Sequence, residues 1–79
     1  MAVAALRPTK RYEVTIYGQD GRESAPLNSD RFLACSDDEA WAIATTQYAT
    51  APGWYVELAR HYSTGLRGYL SIRMERMEG

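Results

Sequence analysis

The sequence predicts an α+β fold in the order β-β-α-β-β: a four-stranded, mostly antiparallel sheet with one helix packed on one face. Three observations carry this. Residues 10–18 alternate apolar and polar side chains, residues 36–51 repeat their apolar positions at helical spacing behind a capping sequence, and two further alternating runs flank a loop with two glycines.

In the first run, KRYEVTIYG, Tyr12, Val14 and Ile16 point one way and Arg11, Glu13, Thr15 and Tyr17 the other, which makes a half-buried strand. Gly18-Gln19-Asp20-Gly21 supplies turn residues. Residues 22–30, RESAPLNSD, are polar and contain Pro26, so they read mostly as loop; RFLAC, 31–35, reads as a short second strand. The helix begins at Ser36, which with Glu39 forms a capping box, and Asp37, Asp38 and Glu39 face the positive end of the helix dipole. Pro52-Gly53 ends the segment. Ala40, Trp41, Ala44, Tyr48 and Ala51 share one face, with Ile43 at its edge, and should press onto the sheet. In WYVELARHY, 54–62, Trp54, Val56, Leu58 and Tyr62 take one side, interrupted by Arg60; Tyr55, Glu57, Ala59 and His61 take the other. After STGLRG, residues 68–77 send Leu70, Ile72 and Met74 to the core and Tyr69, Ser71, Arg73 and Glu75 outward.

With 79 residues, the chain makes one small domain, 1–79, whose first nine residues precede the first strand and are expected to be flexible. At this length about 60 % of the unfolded surface can be buried, so stability is modest. No stretch approaches the apolar length of a membrane span, and the start lacks the pattern of an export signal. A single cysteine excludes an internal disulfide and a cysteine-based zinc cluster, and with one histidine it suits a reducing cytoplasm. Net charge is −1, so no global field drives the chain onto nucleic acid or anionic lipid.

Catalysis has little to stand on. Cys35, before a helix start, is read as a small apolar residue at a strand end, and His61 as an exposed or half-stacked ring. The SDDE acids, on consecutive residues, diverge around the helix and are explained by the cap; no metal site follows. GLRG has the letters of a KH-domain loop but sits between strands, where it is a hairpin. No enzyme, cofactor or metal is expected.

What remains are surfaces. The open sheet face should carry Tyr17, Tyr55, Tyr69, His61, Arg11 and Arg73, a mixture suited to anchoring a protein partner or stacking bases. Opposite the buried helix face lie Ala42, Thr45, Thr46, Ala49 and Thr50, an uncharged stripe that a partner or second copy could cover. From Arg60 to Arg76 there are four Arg and one Glu, against six acids and two Arg from Asp20 to Glu39; with Arg7, Lys10 and Arg11 the second hairpin would form a local basic patch. The expected partner-binding residues are Arg60, His61, Arg67, Tyr69, Arg73, Tyr17 and Tyr55.

The elements KRYEVTIYG, RFLAC, SDDEAWAIATTQYA, WYVELARHY and GYLSIRMER, in that order over residues 10–76, resemble the β-β-α-β-β organisation of some small anti-CRISPR inhibitors of phages and mobile elements. Those inhibitors share no diagnostic motif, and the likeness lies in element order. It implies a non-enzymatic protein in a bacterial cytoplasm that binds a CRISPR effector complex and blocks its access to target DNA or its nuclease, with Arg60, Arg67, Arg73 and Tyr69 the first residues to test. Two other readings stand beside it: a nucleic-acid-binding module using the Tyr and Arg sheet face, and a homodimeric accessory protein.

Overall fold

The computed structural model describes residues 8–48, 50–62 and 68–78. Its strands are β1 (Lys10–Tyr17), β2 (Asn28–Ala34), β3 (Tyr55–His61) and β4 (Tyr69–Arg76), with one helix, α1 (Asp37–Gln47), between β2 and β3. The sheet order is β2-β1-β3-β4, and every neighbouring pair is antiparallel. The α+β architecture read from the sequence is therefore the one observed. Because β2 and β3 both oppose β1, they run parallel to each other, and α1 carries the chain between them over one face. Among the described residues no helix is long and apolar enough to cross a membrane.

The core lies where the two central strands meet α1. Tyr12, Val14 and Ile16 of β1 and Val56 and Leu58 of β3 are the largest fully buried side chains. Each contributes about 1.5–3 kcal/mol by burial. The helix adds only Ala40 and Ala44 to the fully buried set, so its backbone lies close to the sheet. Trp41, Ile43, Tyr48, Phe32, Trp54, Ile72 and Met77 pack around the rim.

Three local features differ from the sequence reading. First, β2 begins at Asn28, three residues early: Asn28, Ser29 and Asp30 pair with Ile16, Thr15 and Val14. An edge strand has a neighbour on one side only, so polar residues are tolerated there and hide the strand from a pattern search. Second, α1 stops at Gln47. The Thr45 hydroxyl donates to the Trp41 carbonyl at 2.9 Å, and that of Thr46 to the Ala42 carbonyl at 2.6 Å. Such back-bonding is neutral to unfavourable for a helix interior. Tyr48 then turns extended (φ −106°, ψ 146°), lays its ring 6.0 Å from Phe32 and donates its hydroxyl to Asp30 at 2.9 Å.

The third difference matters most for function. Leu58 pairs with Arg73 but Ala59 pairs with Ser71, so Ile72 is an extra residue, a β-bulge. Opposed residues share a face, and the bulge reverses the alternation along β4. Ile72 packs on the core as expected. Met74 instead stands opposite Glu57 on the uncovered face, while Arg73 and Glu75 stand opposite Leu58 and Val56 on the helix side. Leu70, also on the helix side opposite Arg60, remains 48 % exposed.

Candidate functional site

The helix side of the sheet uses two of the expected partner-binding arginines internally. Arg60 interrupts the apolar side of β3, as its position suggests, and sits opposite Tyr12. Its Nη1 donates to both carboxylate oxygens of Asp37 at 2.9 and 3.0 Å, and the Tyr12 hydroxyl donates to Asp37 Oδ1 at 2.6 Å. One turn along the helix, the Arg73 guanidinium lies 4.2 Å from the centre of the Trp41 ring and its Nε donates to Glu75. Asp37 and Trp41 are four residues apart and share a helix flank. Each is met by an arginine, one from β3 and one from β4. Asp37 thus has a role besides the cap: it ties the helix start to both central strands. The hydrogen bond from Tyr12, then the contact with Arg60, holds its carboxyl below the ordinary carboxylate range despite partial burial. Burial, with Asp37 behind it, pushes the Tyr12 phenol up to about 12.

Among the described residues, no α-helix lies on the opposite face of the sheet. Here Arg31, from edge strand β2, reaches across the sheet toward β4, the other edge. Its Nε donates to Glu13 at 3.0 Å, and its guanidinium carbon lies 4.8 Å from the centre of the Tyr69 ring. His61 meets the same ring edge-on at 5.2 Å. Ala59, small and only 9 % exposed, occupies the same face between Glu13 and Ser71. The Glu13 carboxylate, with Tyr69 adding to it, raises the Arg31 pKa above its usual value. The other end of the face is held by the single-turn 3-10 helix, residues 21–23. Arg22 bonds Glu57 and reaches Ser71 at 3.3 Å, and Tyr17 donates to Glu57 at 3.3 Å. Tyr55 pairs with Tyr17 and lies against Gly21, whose positive φ of 61° makes that close turn possible.

The expected set therefore divides. Tyr17, Tyr55, His61 and Tyr69 share the uncovered face; Arg60 and Arg73 do not, because of the helix clamp and the bulge. Arg67 lies outside the described residues. Arg31 and Arg22 belong to the uncovered face and are not among the expected residues: Arg22 falls in the segment read as loop, Arg31 opens the strand read as RFLAC, and a contact between the two edge strands leaves no spacing in the sequence. Among the described residues, four arginines are ion-paired, Arg22 with Glu57, Arg31 with Glu13, Arg60 with Asp37 and Arg73 with Glu75. Of the basic run seen along the chain, Arg60 and Arg73 are thus matched by acids in space, while Arg22 and Arg31 come from the acidic segment.

The Ala and Thr stripe is shorter than expected. Ala42, Thr45 and Thr46 lie on α1, Thr50 lies beyond its end, and Ala49 is outside the described residues. The Thr45 and Thr46 hydroxyls are turned inward to the helix carbonyls. At the helix start Ser36 accepts from the Glu39 N–H at 3.1 Å, but the Glu39 carboxylate returns to the N–H of Cys35 rather than that of Ser36. Burial, then Glu39, pushes the Cys35 thiol up, against the expected pull of the helix terminus. The described residues contain no group of three His, Cys, Asp or Glu side chains placed to hold a metal ion. No protein-family model, no curated protein and no solved structure matches the chain.

Proposed function

We propose that this protein acts without catalysis, by binding a protein partner on the uncovered face of its sheet around Arg31, Tyr69 and His61. The observation that carries the reading is the Arg31–Tyr69 stack across four strands. It presents a guanidinium and an aromatic ring already restrained on a rigid sheet, so little rotamer freedom is lost on binding. Arg and Tyr are also the residues that most often dominate interface energies. Arg31 remains 68 % exposed while held, and is available to a partner. The likeness in element order to anti-CRISPR inhibitors makes a CRISPR effector complex the first partner to try, with blocked DNA binding or cleavage as the consequence. Ion pairing of four of the six described arginines weighs against a phosphate backbone as ligand, since a phosphate contact by any of these four would compete with an acid already in place.

The test is retention of purified CRISPR effector complexes of several types by immobilised wild type, Arg31→Glu and Tyr69→Ala, with free DNA and RNA in a gel shift at two salt concentrations. Wild type should retain one effector, and each variant should bind it at least ~30-fold more weakly, the scale of an interface hot spot. Equal retention by all three would move the site off this face. Tight, salt-sensitive binding to bare nucleic acid would replace the reading.

A further inference from the structure

We infer that the protein pairs with a second copy of itself along the outer edge of β4, in a register centred on Met74. As the terminal strand of the sheet, β4 offers its outer backbone groups to no neighbour among the described elements. Such an edge is a template for another strand. A two-fold axis through an antiparallel pair must stand perpendicular to the sheet, so each residue of the regular stretch Arg73–Glu75 opposes one of its own face; the ladder ends there, because Ile72 of the bulge and Arg76 lie on different faces.

This restricts the choices. Centring on Arg73 or on Glu75 sets like charges directly opposite each other. Centring on Met74 sets Arg73 opposite Glu75 of the second copy and Glu75 opposite its Arg73. Within one strand Arg73 already bonds Glu75, two residues on and on the same face. The dimer would close these four side chains into a ring in which every adjacent pair has opposite sign. Alternation alone puts Arg73 and Glu75 on one face; the bulge before them makes that face the helix side, opposite Leu58 and Val56. The other edge, β2, has no equivalent. Its face-preserving registers oppose Arg31 with Arg31, Asp30 with Asp30, or Phe32 with Phe32, and none joins opposite charges.

One strand edge buries well under the area of a standard interface, so the dimer is weak, with a Kd on the order of 100 μM. Its perpendicular axis keeps both uncovered faces on the same side of an eight-stranded sheet. Two copies of the Arg31–Tyr69 cluster would then face one way, although the pairing itself does not depend on what those clusters bind.

Sedimentation equilibrium of the full chain from about 10 μM to 1 mM tests this. Wild type should show a concentration-dependent monomer–dimer equilibrium. Arg73→Glu and Glu75→Arg each oppose like charges twice and should weaken it about tenfold or more. An equimolar mixture of the two variants should recover association, because glutamates at 73 and 75 then meet arginines at both positions, and the double exchange Arg73→Glu/Glu75→Arg should self-associate like wild type. Arg73 also touches Trp41, so circular dichroism accompanies each variant. Should Arg73→Glu not fold, Glu75→Arg and the dependence on salt decide alone, with weaker association expected for the variant and at high salt. Wild type that stays monomeric at 1 mM, or a Glu75→Arg variant that associates as wild type does, overturns the inference.

Discussion

The Tyr12 hydroxyl and the Asp37 carboxylate meet at 2.6 Å, joining the most buried aromatic side chain of β1 to the first residue of α1. Arg60 bonds the same carboxylate from β3. Three elements therefore converge on one acid. Asp37→Asn should destabilise the domain by about 1–2 kcal/mol, below the full figure for a charged hydrogen bond because 46 % of the Asp37 side chain is exposed. Its pH dependence follows from the depressed carboxyl. Stability from Asp37 is complete above the ordinary value of 3.8 and is lost as pH falls through the lower folded value. Urea midpoints between pH 2 and 6 should therefore drop less steeply in Asp37→Asn than in wild type.

At the alkaline end the sign is opposite. The Tyr12 phenol rises from 10.0 to about 12 in the fold, so its neutral form stabilises the native state below pH 10 and that contribution disappears as pH climbs toward 12. Tyr12→Phe should cost about 1 kcal/mol at pH 7 through the lost hydrogen bond. Above pH 10 the gap from wild type should narrow, as followed by denaturant melts with tryptophan fluorescence. A gap that widened would mean that Tyr12 does not carry the alkaline loss.

Trp41→Ala removes a half-buried ring and the surface on which Arg73 rests. Partial burial places the cost at about 2–3 kcal/mol, below that of a fully enclosed tryptophan. For a chain of this size that lowers Tm by roughly 10–20 °C. Arg73→Met should cost far less, since it keeps apolar contact and loses only the charge over the ring. A thermal melt of Trp41→Ala that matched wild type would contradict the helix-on-sheet packing.

On the uncovered face, Arg31→Ala and Tyr69→Ala should be non-additive. A double-mutant cycle in denaturant should return a coupling of about 0.5–1 kcal/mol, the range of an exposed cation–π pair. Arg31→Lys should keep part of the bond to Glu13 and lose most of the coupling, because an ammonium cannot stack its plane on the ring.

Cys35 should be a slow thiol. Its raised pKa leaves less thiolate at pH 8 than an ordinary cysteine has. Iodoacetamide should label the native chain more slowly than the urea-unfolded chain, and Glu39→Gln should narrow the difference. Ser36→Ala, which removes the acceptor for the Glu39 N–H, should lower stability by about 1 kcal/mol in the same experiments.

Much of this fold could be read from periodicity. The alternation of Tyr12, Val14 and Ile16, the Ser36 half of the cap and the intrusion of Arg60 on an apolar side correspond to what the chain does, whereas Glu39 bonds the Cys35 N–H in place of that of Ser36. Periodicity failed where a tertiary contact outweighed local pattern. Polar Asn28–Asp30 forms strand because it borders β1 on one side only, and Tyr48 leaves the helix for Phe32 and Asp30. Alternation puts Arg73 on the uncovered face and the structure puts it on the helix side, because one added residue changes the phase of every position that follows and a bulge leaves no mark in an alternating run. The uncovered-face cluster was half legible: Tyr69 and His61 stand out as aromatic residues beside a hairpin, but Arg31 meets them only through the strand order.

The extra residue at Ile72 also sets where this chain can change length. Strand β4 is longer by one position than the partner it pairs with, and the surplus is confined to Ser71–Ile72. A natural variant lacking one residue there would regularise the ladder while leaving Tyr69 beside His61 and Arg73 beneath Trp41. Loss of a single residue between Arg73 and Arg76 would instead turn part of the strand over and exchange side chains between the two faces. Length variation among relatives of this protein should accordingly collect at that one step and be excluded from the rest of the strand.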